Sequence, residues 1–144
     1  MQDVIALVRK YTRDYPELNR LIQGVESSDP DISTAIQFAL DDWNITPPLL
    51  ASVTLETHPS RSLLVMCVTC YLLDELILLS TRNHLSYSDG QGTSVNVSDK
   101  APMLQGIQRL IQGRYENMKM RWKVAKNIDD GWGSGAVSEY SGLG

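Results

Sequence analysis

Two cysteines three positions apart, Cys67 and Cys70, are the first residues in this chain whose type and spacing could do chemistry. A C-x-x-C pair works as a redox centre when its first sulfur is exposed at a helix N-terminus, and as half of a zinc site when two more ligands join it. Here the pair sits inside the apolar run 63–79, mid-helix by its periodicity, and His58 and His84 are the only imidazoles. Neither requirement is met, so the reading is buried structural thiols in a reducing compartment. The carboxylates fare no better. Asp41-Asp42 and Asp74-Glu75 are adjacent pairs, and adjacent helical residues point about 100° apart, so neither pair forms a facing dyad. Asp129-Asp130 lies in a glycine-rich stretch and touches a cation only transiently. The chain has no G-x-x-x-x-G-K-S/T phosphate loop, no G-x-S-x-G nucleophile turn and no H-E-x-x-H. The expectation is a protein that is not an enzyme, with no catalytic residue, no metal site and no cofactor.

The elements around these residues read mainly as α-helix. Residues 3–15 carry Val4, Ile5, Leu7, Val8 and Tyr11 at spacings of three and four, an amphipathic helix that Pro16 interrupts; two further turns are expected over 17–23. Asp29 and Pro30 start a second helix, with Ile32, Ala35, Ile36, Ala39, Leu40 and Trp43 as its apolar stripe and Pro47-Pro48 as its stop. Residues 49–56 alternate weakly and read as extended. A third helix follows Thr57-His58-Pro59 and runs to about Arg82. It is apolar around most of its circumference, as a central helix must be, with Tyr71, Glu75 and Arg82 on one narrow polar stripe. Asp99 caps a fourth helix, long and amphipathic, in which Gly106 and Gly113 mark close approach of another backbone. Between the last two helices, residues about 85–98 read as a β-hairpin: Leu85 and Tyr87 alternate before Asp89-Gly90 and Gly92, and Val95 and Val97 after them.

Length and composition bound the rest. At 144 residues the chain makes one domain, and a 7% aromatic content with a single Phe points to aliphatic helix packing. The expected division is a four-helix bundle over 1–128, hairpin included, and a flexible Gly-rich tail over 129–144. Trp132, Val137, Tyr140 and Leu143 are apolar anchors on that tail, suited to ordering against a partner. The net charge of −4 is uneven: residues 1–60 hold four bases against nine acids, whereas 103–126 hold six bases against Glu116 alone. Arg109, Arg114, Lys119, Arg121 and Lys123 therefore read as a basic face for an acidic neighbour. No signal peptide is recognisable. The apolar stretch 63–80 falls short of a membrane span because Asp74 and Glu75 interrupt it, each costing about 2.5–3.5 kcal/mol near a bilayer centre. No membrane partner is expected.

Taken in order, Ala35 to Pro48, the stretch from Asn83 through Gly90 to Val95–Ala101, and Lys126-Asn127-Ile128 before a glycine-rich end resemble the head–tail connector (neck or adaptor) proteins of tailed bacteriophages. The resemblance covers most of residues 28–133. It implies a structural virion protein: a homo-oligomeric ring of twelve copies in the neck between capsid and tail, assembled in the host cytoplasm. Such a ring binds the portal protein on one side and the tail or a second neck protein on the other. DNA passes through its lumen during genome ejection without sequence-specific binding. On this resemblance Tyr87, Asp89, Gly90 and Gly92 belong to a subunit interface, and Trp132, Tyr140 and Leu143 to a tail that contacts the portal. Two rival readings come from the residues alone. One is a monomeric cytosolic module that binds an acidic partner through its basic C-terminal helix; the other is a thiol oxidoreductase using Cys67 and Cys70.

Overall fold

The computed structural model describes residues 1–82 and 100–132 in full, and the backbone alone of 86–88, 94–96 and 133–141. It is mainly helical, with four helices: α1 (Gln2–Thr12), α2 (Asp29–Ile45), α3 (Arg61–Arg82) and α4 (Ala101–Ser141). Two three-residue strands, β1 (Ser86–Ser88) and β2 (Ser94–Asn96), pair antiparallel with Tyr87 opposite Val95. Asp89, Gly90 and Gly92, which the sequence places in the turn between them, lie outside the described residues.

Helix α3 is the axis of the molecule and packs against each of the other three helices. Every residue from Leu63 to Cys70 is buried, whichever way it points. Further along, Leu78 and Leu79 are exposed, so α3 is a core helix in its first half only. By length and composition it is apolar enough to cross a membrane, contrary to the sequence reading; half of that apolar window is buried inside the protein.

Helix α2 begins with a reciprocal cap, in which Ser28 Oγ accepts from the Asp31 amide and the Asp31 carboxylate accepts from the Ser28 amide. Asp29, expected as the cap, instead receives Arg9 at 2.5 Å. Helix α3 starts at Arg61, two residues beyond Pro59, because Ser60 Oγ accepts from the Leu63 amide and serves as its cap. The segment before it is irregular. Asn44 fixes it by bonding Val53 both ways, to the carbonyl at 3.0 Å and from the amide at 2.8 Å.

Helix α1 stops earlier than its periodicity suggests, and the turns expected over 17–23 are not helical. Arg13 adopts a left-handed conformation (φ 59°), which turns Asp14 inward. The Asp14 carboxylate then accepts from the amides of Glu26 (2.7 Å) and Ser27 (2.9 Å), from Asn19 Nδ2 (2.6 Å) and from Arg9 (3.3 Å). A buried carboxylate that gathers donors from three stretches of chain overrides the local preference of 17–23 for helix. Burial alone pushes this carboxyl up; the two amides, Asn19 and Arg9 together outweigh it and hold the group below its ordinary 3.8.

Helix α4 departs most from expectation. Its backbone stays helical through Gly131, Gly133 and Gly135 to Ser141, where a flexible tail from residue 129 was expected. Each glycine costs about 1 kcal/mol, but extending an existing helix gains a hydrogen bond per residue without a new nucleus. Nor do Gly106 and Gly113 meet another backbone: among the described residues nothing lies within 4 Å of a Cβ built on either.

Two predictions follow from this architecture. Asp14→Ala lowers unfolding free energy by about 2–3 kcal/mol at pH 7. Because the folded carboxyl titrates below its unfolded value, its contribution is present above about pH 4 and fades as pH falls through the folded pKa, so denaturant melts near pH 3 show a narrower gap between variant and parent. Gly106→Ala and Gly113→Ala each raise stability by up to about 1 kcal/mol, read as an upward shift in thermal midpoint.

Candidate functional site

The chemistry-bearing side chains converge where α4 crosses the end of α2. A helix leaves its last carbonyls without partners, and its C-terminus favours cations. Two lysines of α4 meet that need. Lys123 Nζ donates to the carbonyls of Trp43, at 2.5 Å, and Thr46. Lys119 Nζ donates to Asp42 Oδ2 (2.9 Å), Glu116 (3.1 Å) and Thr46 Oγ1 (3.2 Å). Both side chains are 1% exposed. The Tyr115 hydroxyl adds a 2.6 Å bond to the same Asp42 oxygen. Around this polar knot the rings close off solvent: Trp43 stands 5.3 Å from Trp122 and 4.6 Å, edge-on, from His58, and Lys123 lies 5.4 Å from the Trp43 ring centre.

Lys119 and Lys123 are therefore not on the basic face assigned to them from sequence. Tyr115, Lys119 and Lys123 follow one another at spacings of four, so the side of α4 that carries Tyr115 inward carries both lysines with it. That spacing was the signal available in the sequence. Burial pulls the Lys119 ammonium down, but Asp42 and Glu116 outweigh it and hold the group above its ordinary 10.5. Lys123, with burial and the neighbouring Lys119 charge acting together, is held below it.

A cavity of about 230 Å³ lies beside this knot, with Cys67, Cys70, Tyr71 and Asp74 on its α3 wall and Gln108, Gln112 and Glu116 on its α4 wall. Burial pushes the Cys67 thiol up to about 12 and Cys70 up to about 11, with nearby carboxylates adding to the shift at both. Both thiols are protonated at neutral pH, the reverse of a reactive cysteine. Among the described residues no group of three or more His, Cys, Asp or Glu is placed to hold a metal ion.

On the opposite side of α3 the surface opens into a groove of about 620 Å³. Leu7 and Tyr11 of α1 and Val65 and Met66 of α3 form an apolar floor; Lys10, Arg13, Arg61 and Arg114 stand around it. None of these four cations joins an ion pair among the described residues. The sequence did not reveal this cluster. Lys10 and Arg13 belong to the acidic half of the chain, and only the packing of α1 and α4 on α3 brings them to Arg61 and Arg114.

The remaining sequence-derived residues are distributed as follows. Arg109, Arg114 and Arg121 are exposed on α4. Trp132 is 79% exposed. Tyr87 is in β1 and Tyr140 in the last turns of α4, each described by its backbone alone, and Leu143 lies outside the described residues. No family model, curated protein or solved structure matches the chain.

Lys119→Ala removes the ammonium from the Asp42 carboxylate, leaving it the Tyr115 hydroxyl, and is expected to destabilise the fold by about 2–4 kcal/mol in denaturant melts. Alkylation of the native protein with a thiol reagent leaves Cys67 and Cys70 unmodified, and both react once denaturant unfolds the chain; fast labelling of either in the native state contradicts their burial.

Proposed function

We propose that the chain is a structural subunit of a ring in the neck of a tailed-phage particle, joining portal to tail and enclosing a passage for DNA. One observation carries the assembly part of this reading. The last buried side chain of α4 among the described residues is Lys123, and the helix continues 18 residues beyond it, about 27 Å, with Ile128 and Trp132 uncovered. A helix end that keeps a tryptophan in water leaves apolar surface uncovered, and it suits a contact made on assembly. The neck assignment rests on the resemblance of residues 28–133 to head–tail connector proteins. In this reading the helices form a four-helix bundle that makes the ring wall. The 85–98 hairpin, with Tyr87, Asp89, Gly90 and Gly92, meets a neighbouring subunit, and the far end of α4 makes the outward contact. DNA passes without sequence-specific binding.

A monomeric module that grips an acidic partner through α4 is less well supported. Two of its five cations are committed to the end of α2. Of the rest, Arg109 sits about 140° around the helix from Arg114, so the exposed three do not make one face.

Purified protein, alone and mixed with portal, tests the proposal by light scattering and negative-stain imaging. Closed rings seated on the portal are the expected result. Free monomer with portal present, across a range of salt, overturns it.

A further inference from the structure

We infer that the groove between α1, α3 and α4 receives the projecting end of α4 from a second copy of this chain, with Trp132 on its apolar floor and Asp129 against its cationic rim. The inference rests on the ring-subunit reading and names the partner for that exposed helix end.

Three observations converge on this pairing. The groove is apolar below and cationic around, four basic heads surrounding Leu7, Tyr11, Val65 and Met66 with no carboxylate among its lining residues. Its occupant should therefore be apolar with negative charge beside the apolar group. At about 620 Å³ it falls within the range of sites that enclose a group the size of an indole. The projecting end of α4 has that chemistry. Ile128, Asp129 and Trp132 fall within an arc of about 100° on one side of the helix. Ile128 is 52% and Trp132 79% exposed, and the Asp129 side chain is 82% exposed with Lys126 4.0 Å away.

The third observation says whose helix it is. Arg114 lines the groove and Trp132 lies 18 residues further along the same unbroken helix, about 27 Å away. A continuous helix cannot turn back on itself, so a subunit's own Trp132 never reaches its own groove. A second copy's can. The contact joins two different surfaces, and repeating it closes into a ring or runs on as a filament. It assigns Trp132 to the neighbouring copy and leaves the residues beyond it for the portal.

Sedimentation velocity of the full chain over a range of protein and salt concentrations tests the pairing. Arg61→Glu with Arg114→Glu reverses half of the rim, and Asp129→Lys with Asp130→Lys reverses the helix end. Each double variant is expected to weaken self-association at least about tenfold, and the two sets combined to recover most of it. Trp132→Ala, exposed in the single chain and harmless to its fold by circular dichroism, weakens association about thirtyfold. Wild-type assembly that neither reversal changes overturns the inference and leaves the ring reading standing. Wild type that stays monomeric throughout overturns it too, and imaging with portal then decides the ring reading separately. Reversal of the rim that abolishes binding to anionic phospholipid vesicles, with self-association untouched, overturns it in favour of a lipid headgroup.

Discussion

Two ammonium groups sealed from water hold this molecule together. Burying a lysine costs several kcal/mol unless its charge and its protons find partners, and here the partners are the carbonyls of Trp43 and Thr46, the Thr46 hydroxyl and the carboxylates of Asp42 and Glu116. The arrangement answers two needs at once. The end of α2 gains donors for carbonyls that its own helix cannot satisfy, and α4 gains a fixed register. A slip of α4 by one residue would swing both ammonium groups through about 100°, away from these acceptors. In that register Tyr115 is buried in the core, with Trp122 and Ile111 packed against it.

From this point the rest of the geometry follows. With α4 pinned near Lys123, the residues from Val124 to Trp132 are exposed, and α4 packs along α3. Asp14 plays the corresponding part at the other edge, tying the end of α1 to the residues that precede α2. Between them α1 and α4 stand on opposite sides of the start of α3 and leave the groove there open. The two halves of α3 differ for the same reason: its first half is enclosed by neighbours, whereas Leu78 and Leu79 near its end are exposed.

The helices were legible from apolar spacing. The buried stripe of α2, Ile32 to Trp43, is the one read from the chain, and that of α1 holds at Val4, Ile5 and Val8 but not at Leu7 and Tyr11, which are exposed. On α4 the spaced apolar residues Ile107 and Met118 are exposed, and Tyr115, Lys119 and Lys123 are buried instead. Burial of Cys67 and Cys70 was legible as well, since the pair lies inside a helix apolar around most of its circumference. The readings that failed share a cause. The turns of 17–23, the cap at Asp29, the close approach at Gly106 and Gly113 and the outward-facing Lys119 and Lys123 were each judged on local preference. Most were decided by a partner far away in sequence, or by the lack of one; the cap of α2 was decided locally, by Ser28 and Asp31 three residues apart.

Periodicity alone, then, determined that this chain makes amphipathic helices around one oily central helix, because burial of apolar stripes depends on spacing that can be counted along the chain. Only the tertiary structure decided where the charges went. The spacing of Lys119 and Lys123 from Tyr115 puts all three on one side of α4, but only the packing brings that side to the open end of α2. The cationic rim of Lys10, Arg13, Arg61 and Arg114 exists only once three helices are packed, because electrostatic sites are made by distance in space and the sequence records distance along the chain.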